Sequence, residues 1–104
     1  MSGMKRTEKD NYIIEKYKED EKMMILIFAQ WCINHDMDAL QLYRTAYPEQ
    51  TENKALLDSM EKTVPKEESE EISLEAVQQV LQLFGNDDLA FVMQQAAEEQ
   101  GKRK

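Results

Sequence analysis

The most constraining feature of this chain is an apolar run, MMILIFAQWCI, over residues 23–33, in which Gln30 is the one polar residue. Residues 7–34 contain no glycine or proline and are rich in helix formers, which predicts one long helix or two helices in tandem. The run is too short to cross a bilayer, because a spanning helix needs about 20 apolar residues. We therefore expect residues 23–34 to form a central helix that is buried on most sides, and we expect no membrane partner.

Two shorter helices are predicted after the central one. The first covers residues 37–47, where apolar residues recur at helical spacing, and either Asp36 or Asp38 is expected to cap its N-terminus. The second covers residues 52–61 with Thr51 as its N-cap. We expect the helix over residues 37–47 to pack across the central helix, and a C-terminal hairpin over residues 74–100 to cover its remaining face.

The last third of the chain predicts an αα-hairpin over residues 74–100. Ser73 is a good N-cap for its first helix, Gly85 suits the left-handed position that ends it, and Asn86 is expected to cap the second helix. Before the hairpin, residues 63–71 read TVPKEESEE, with five of nine residues charged. This composition is typical of a solvated linker, which we expect to let the N-terminal helices and the hairpin move relative to each other.

These patterns predict an all-α fold, a small bundle of four or five helices with a central buried helix and a C-terminal αα-hairpin. At 104 residues, the chain fits one domain, 1–104, with a single hydrophobic core. No strand-like alternation and no repeat of fixed period occurs in the sequence.

The charge balance restricts the partners of this protein. With 21 Asp and Glu against 13 Lys and Arg, the net charge is −8. Nucleic acids and anionic lipids bind through Lys and Arg, so we expect instead a protein partner with a basic or neutral surface. The single cysteine, Cys32, cannot form an intramolecular disulfide, and the opening residues lack the apolar stretch of a signal peptide. Both features predict a cytoplasmic protein.

The sequence offers few groups for catalysis or metal binding. Cys32 and His35 are three residues apart, but a structural zinc site needs about four ligands and the chain has no other cysteine or histidine. The acidic clusters lack the glycine and glutamate positions of a calcium-binding EF-hand loop. Glycine-rich phosphate-binding motifs and catalytic motifs are absent from the sequence. We therefore expect no metal, no cofactor and no catalytic residue.

Three residues are the candidates for partner binding. Phe91 lies nearly opposite the apolar stripe of the last predicted helix, among polar residues such as Asp88 and Gln94. Aromatic residues often anchor protein interfaces, so Phe91 is the first candidate. Tyr47, at the edge of its own stripe, and the neighbouring Arg44 are weaker candidates. These features predict a small acidic adaptor or regulator without catalytic activity, and a homodimer is one form that it could take.

The alternative function is nucleic-acid binding. Three short helices after residue 22 resemble a helix-turn-helix arrangement, and ALQLYRTAYPEQT, residues 39–51, is similar to part of the small helical DNA-binding domains of phage packaging proteins. That resemblance implies a recognition helix that contacts bases. Such a helix needs basic residues, yet Arg44 and Lys54 are the only Lys or Arg residues between residues 23 and 61. The sequence therefore favours a protein partner.

Overall fold

A computed structural model describes residues 6–50 and 53–102, with side chains described from Glu8 onward. Within these residues the protein is an all-α bundle, as predicted, with six α-helices where four or five were expected. A short 3₁₀ helix, Lys66–Glu68, lies between the fourth and fifth. The helices are α1 (Arg6–Tyr17), α2 (Glu21–Asn34), α3 (Ala39–Ala46), α4 (Lys54–Lys62), α5 (Leu74–Leu83) and α6 (Asp87–Lys102).

The stretch predicted as one helix or two is divided into two, and Asp20 marks the division. Its backbone is extended, and its side chain accepts a hydrogen bond of 2.9 Å from the backbone N–H of Met23. This is N-cap geometry, which satisfies one of the unpaired donors at the start of α2. The charged residues on both sides of Asp20 bury little apolar surface, so α1 can leave the direction of α2 at this point.

The central buried helix is α2, as the apolar run predicts. Trp31 and Phe28 are each 1% exposed, and Ile27 and Cys32 are fully buried. Four α-helices, α1, α3, α4 and α5, and the 3₁₀ helix contact α2 directly. The last helix, α6, packs on α5 and α3. Helices from both ends of the chain therefore share the same core.

The ends of the short helices agree only partly with the prediction. Asp38, one of the two predicted caps, accepts hydrogen bonds from two backbone N–H groups at the start of α3. Asp36 instead adopts a left-handed conformation, with φ of 58°, just after α2. The predicted start of the next helix was wrong, because α4 begins at Lys54 with Asn53 as its N-cap. Thr51, the predicted cap, lies outside the described residues.

The predicted hairpin is present as α5 and α6. Ser73 caps α5, and Gly85 has a φ of 78°, which any side chain would make unfavourable. The N–H groups of Gly85 and Asn86 donate to the carbonyls of Gln82 and Leu81, which is the Schellman pattern of a helix end. Asn86 occupies the predicted position before α6, where its carbonyl accepts from the N–H of Ala90. Its side-chain Oδ1 accepts the Tyr47 hydroxyl at 2.8 Å.

Residues 63–71, predicted to be a solvated linker, are attached to α2. The side-chain amide of Gln30 both donates to the carbonyl of Val64 and accepts from its N–H. Asn34 donates to the Ser69 hydroxyl at 3.1 Å. The prediction that this segment lets two halves of the protein move does not account for these contacts. In the part of the chain that the structure describes, no helix combines the length and apolar character needed to span a bilayer.

Candidate functional site

The two sides of α6 differ sharply in exposure. Its inner side carries Leu89, Ala90 and Met93, which are at most 3% exposed and pack into the core. Its outer side is formed by residues that repeat three or four positions apart and therefore neighbour one another on the helix surface. We call this surface the α6 outer face; it comprises Asp87, Asp88, Phe91, Gln95 and Glu98.

Phe91 is the apolar group of the α6 outer face. Its side chain is 62% exposed, on the side of the helix opposite the core, where the sequence pattern predicts it. Asp87 and Asp88 lie one turn before it, and α6 as a whole holds four carboxylates and one lysine. A large ring that contributes nothing to the core therefore stands in a negatively charged environment.

The helix that carries Phe91 is held firmly at several points. Gln78 of α5 donates to the carbonyl of Ala90 at 3.0 Å and to the side chain of Gln94 at 3.2 Å. Near the other end of α6, Gln100 donates to the backbone carbonyl of His35 at 2.7 Å. These bonds fix the rotation of α6 about its axis, so the outer face is presented by a rigid support.

The other two candidates occupy different environments. The hydroxyl of Tyr47 donates to Asn86, and its ring packs against Tyr43 with a centroid distance of 5.1 Å. Burial is the main reason that the pKa of Tyr47 is raised, with a further contribution from the Asp88 carboxylate. Tyr47 therefore joins α3 to the start of α6, whereas Arg44 is exposed on α3. Of the three, Phe91 is the most exposed apolar group.

The pair Cys32 and His35 lacks the properties of a catalytic pair. Burial, together with a smaller contribution from the nearby Asp38 carboxylate, raises the pKa of the Cys32 thiol to about 12. A thiol with such a pKa is protonated at neutral pH and is a poor nucleophile. The imidazole of His35 instead stacks on Trp31, with ring centroids 4.5 Å apart. Partial burial lowers the pKa of His35, and the Asp36 carboxylate opposes this shift.

A wide groove of about 900 Å³ runs between α1, the end of α2 and residues 66–75. Five carboxylates line it against two lysines, Lys9 and Lys66, each of which is paired with a carboxylate. The groove adds to the negative surface of the protein. Across the described residues, no cluster of three or more His, Cys, Asp or Glu side chains has the arrangement of a metal site.

A second apolar residue is as exposed as Phe91, and it was not predicted from the sequence. Leu83, in the last turn of α5, is also 62% exposed. Leu83 lies outside the apolar stripe of α5, and the helical spacing of the sequence is sufficient to predict that position. Leu83 lies on α5, outside the α6 outer face, so it serves as a reference residue of equal exposure.

Fold and site together define a small all-α protein that presents one aromatic side chain on an acidic helix face. No solved structure matches the chain with significance. The YxiS family matches residues 5–98. The protein described as "Uncharacterized protein YxiS" from Bacillus subtilis (strain 168) is 48% identical over 88 residues, which cover 84% of this chain and 92% of that protein. The chain belongs to the YxiS family.

Proposed function

We propose that this protein is a non-enzymatic interaction module of the cytoplasm, an adaptor or regulator that binds a basic protein partner through the α6 outer face. The observation that carries the proposal is the 62% exposure of Phe91 among carboxylates on a rigid helix. A fully buried aromatic side chain removes roughly 150–250 Å² of surface from water, and about three fifths of that area is still exposed at Phe91 for an interface to cover. Phe91 is therefore suited to anchor a partner.

The charge of the surface supports a basic partner. The whole chain has a net charge of −8, and Asp87, Asp88 and Glu98 lie on the same face as Phe91. Such a field speeds the approach of a positively charged surface, while the buried aromatic anchor governs how long the complex lasts. The partner that fits this face has an apolar pocket with Lys or Arg residues at its rim.

Self-association through the same face is the alternative within this class. Two copies would bring together surfaces of equal negative charge, so added salt would strengthen a homodimer by screening the repulsion. A complex with a basic partner would weaken as salt is added, for the opposite reason. The direction of the salt effect therefore distinguishes the two arrangements.

A nucleic-acid partner is the alternative from another class. The α3 segment that prompted this hypothesis carries one cation, Arg44, and its N-terminus is capped by the carboxylate of Asp38. Phosphate binding depends on several Lys or Arg contacts, which this helix lacks. Binding to mixed-sequence duplex DNA at low salt, with loss of binding as salt rises, would favour this alternative over a protein partner.

The experiment compares Phe91→Ala with Leu83→Ala in affinity purification from the native cell. The two side chains have the same exposed fraction, so we expect equally small effects on stability and on the helical circular dichroism signal. We expect Leu83→Ala to retain a basic partner that elutes with salt, and Phe91→Ala to lose it. Equal retention by both variants, or a stability loss confined to Phe91→Ala, would contradict the proposal.

A further inference from the structure

A small cavity lies near the starts of α2, α4 and α6, where these helices meet α3 and the end of α5. Its volume is about 120 Å³, which approaches that of an engineered apolar cavity of about 150 Å³ that binds benzene. Glu21, an exposed residue of α2, lies at the edge of the cavity, so the cavity opens to solvent there. Seven of the eleven lining residues are apolar, among them Met24, Phe28, Leu56, Leu81 and Leu89, while polar atoms contribute nearly half of the lining surface.

Two of the polar groups in the wall already have good partners. The hydroxyl of Tyr43 donates to Gln50 at 2.7 Å and accepts from the amide nitrogen of Asn53 at 3.0 Å. The Oδ1 of Asn53 accepts from the backbone N–H of Leu56 as the cap of α4. These groups shape the wall, and their hydrogen-bonding capacity is used within the protein.

Asn86 differs from these groups. Its Oδ1 accepts a good hydrogen bond from the Tyr47 hydroxyl. Its amide nitrogen, however, donates to the thioether sulfur of Met24 at 3.0 Å, and within the described residues this is the acceptor it reaches. A thioether is a weak acceptor, whereas a side-chain amide nitrogen has two hydrogens to donate. The cavity therefore combines mostly apolar side chains with one donor, the Asn86 amide nitrogen, whose acceptor within the described residues is weak.

We propose that this cavity binds a small, uncharged apolar molecule, about the size of a six-membered ring, with one oxygen that accepts a hydrogen bond from Asn86. The volume limits the size, and the apolar side chains of the wall favour a hydrocarbon body. The carboxylate of Glu21 at the opening disfavours anions such as carboxylates and phosphates. The proposal does not depend on partner binding at the α6 outer face.

The test uses cyclohexanone as the probe, because it has a six-membered ring and a single acceptor. Binding is followed by NMR in protein with ¹³C-labelled methionine methyl groups. We expect a saturable shift of the Met24 methyl signal at millimolar cyclohexanone. Met93 is fully buried but does not line the cavity, so its signal should stay in place. Cyclohexanecarboxylate, an anion of similar size, should give no saturable shift.

Two variants test the space in the cavity and the Asn86 donor separately. Ala55→Leu fills the cavity from α4 and should abolish the Met24 shift, whereas Lys54→Leu, at the exposed position beside it, should bind like the original protein. Asn86→Asp keeps the oxygen that accepts from Tyr47 but removes the amide donor. It should weaken cyclohexanone binding by at least about tenfold, because the ligand oxygen loses its donor and faces a carboxylate.

Several results would overturn the proposal. If the Met24 signal of the original protein shows no saturable shift, the cavity does not admit the probe. Equal shifts in the original protein and in Ala55→Leu, or a parallel shift of Met93, would mean that the probe acts elsewhere. Unchanged affinity in Asn86→Asp would remove Asn86 as the donor. The helical circular dichroism signal of each variant is measured alongside, and Lys54→Leu serves as the folded reference.

Discussion

The side-chain amide of Gln30 and the backbone of Val64 are joined by two hydrogen bonds: Nε2 donates to the carbonyl at 2.9 Å, and Oε1 accepts from the N–H at 3.0 Å. Gln30 is 8% exposed and is one of the two buried polar residues in the described chain. It belongs to the most apolar helix of the protein. Its amide pairs with the backbone N–H and carbonyl of Val64 as a neighbouring backbone would, because Val64 lies outside any helix.

Gln30→Leu is expected to destabilise the protein although it makes α2 more apolar. The substitution leaves the N–H and carbonyl of Val64 without their partners, which costs about 1–3 kcal/mol when such groups are shielded from water. Chemical denaturation gives the free energy of unfolding, and hydrogen exchange at Val64 should become faster. Gln79→Leu, at an exposed position in α5, is the control and should have little effect. Equal stability of the two variants would mean that the Gln30–Val64 pair contributes nothing.

Gly85→Ala and Gly101→Ala are expected to change stability in opposite directions. An added methyl group meets no atom within 4 Å at either position, so packing does not distinguish them. Gly85 has a φ of 78°, where a side chain costs about 1 kcal/mol. Gly101 is helical, and alanine there should stabilise α6 by up to about 0.5 kcal/mol. Melting temperatures of the two variants that move in the same direction would contradict this explanation.

The contact between His35 and Trp31 should make tryptophan fluorescence report on the protonation of His35. Trp31 is the only tryptophan, and a charged imidazole against its ring quenches emission. Burial lowers the pKa of His35, so the midpoint of the fluorescence titration should lie below the usual value of about 6.5. His35→Gln should remove the transition, and a midpoint above that value would contradict the expected shift.

The lowered pKa of His35 also determines how the free energy of unfolding changes in acid. Since the folded pKa of His35 is below the unfolded one, the unfolded chain binds the proton more readily in the interval between them. The contribution of neutral His35 to stability is therefore present above pH of about 6.5 and is lost as the pH falls through the folded pKa. The free energy of unfolding of His35→Gln should fall less over this interval.

Cys32 should resist alkylation in the folded protein. Its thiol is fully buried, and its pKa is raised to about 12, so iodoacetamide at neutral pH should react only after unfolding. Above the ordinary thiol pKa, the unfolded chain loses this proton first, so stability should fall as the pH rises towards 12. Buried Tyr17 and half-buried Tyr47 act in the same direction, and Cys32→Ala should remove only part of the decline. Rapid alkylation of the folded protein would contradict this account.

Local patterns were sufficient to predict most of the helices. The apolar run indicates the buried helix α2, and Ser73 and Gly85 mark both ends of α5, because caps and left-handed positions depend on adjacent residues. Asn53 and Thr51 are both good capping residues two positions apart, so sequence alone could not choose between them. The hairpin and the outward position of Phe91 likewise follow from helical spacing.

Contacts between residues that are distant in the sequence could not be predicted from local patterns. The composition of residues 63–71 indicates a solvated segment, yet Gln30 and Asn34 bind it from positions more than 30 residues away. Likewise, Asn86 looks like a cap from its neighbours, but the hydroxyl of Tyr47 takes its side-chain oxygen. In both cases a hydrogen bond to a distant residue forms where the neighbouring sequence indicates a solvated linker or a helix cap.

The most direct test of the proposed interaction is site-specific photo-crosslinking in the native cell. A photoreactive phenylalanine derivative is placed at position 91 in one protein and at position 83, which has the same exposure, in another. The account predicts one crosslinked basic protein from position 91, reduced when salt is raised in a lysate, and no such product from position 83. The same product from both positions, or none from position 91, would contradict it.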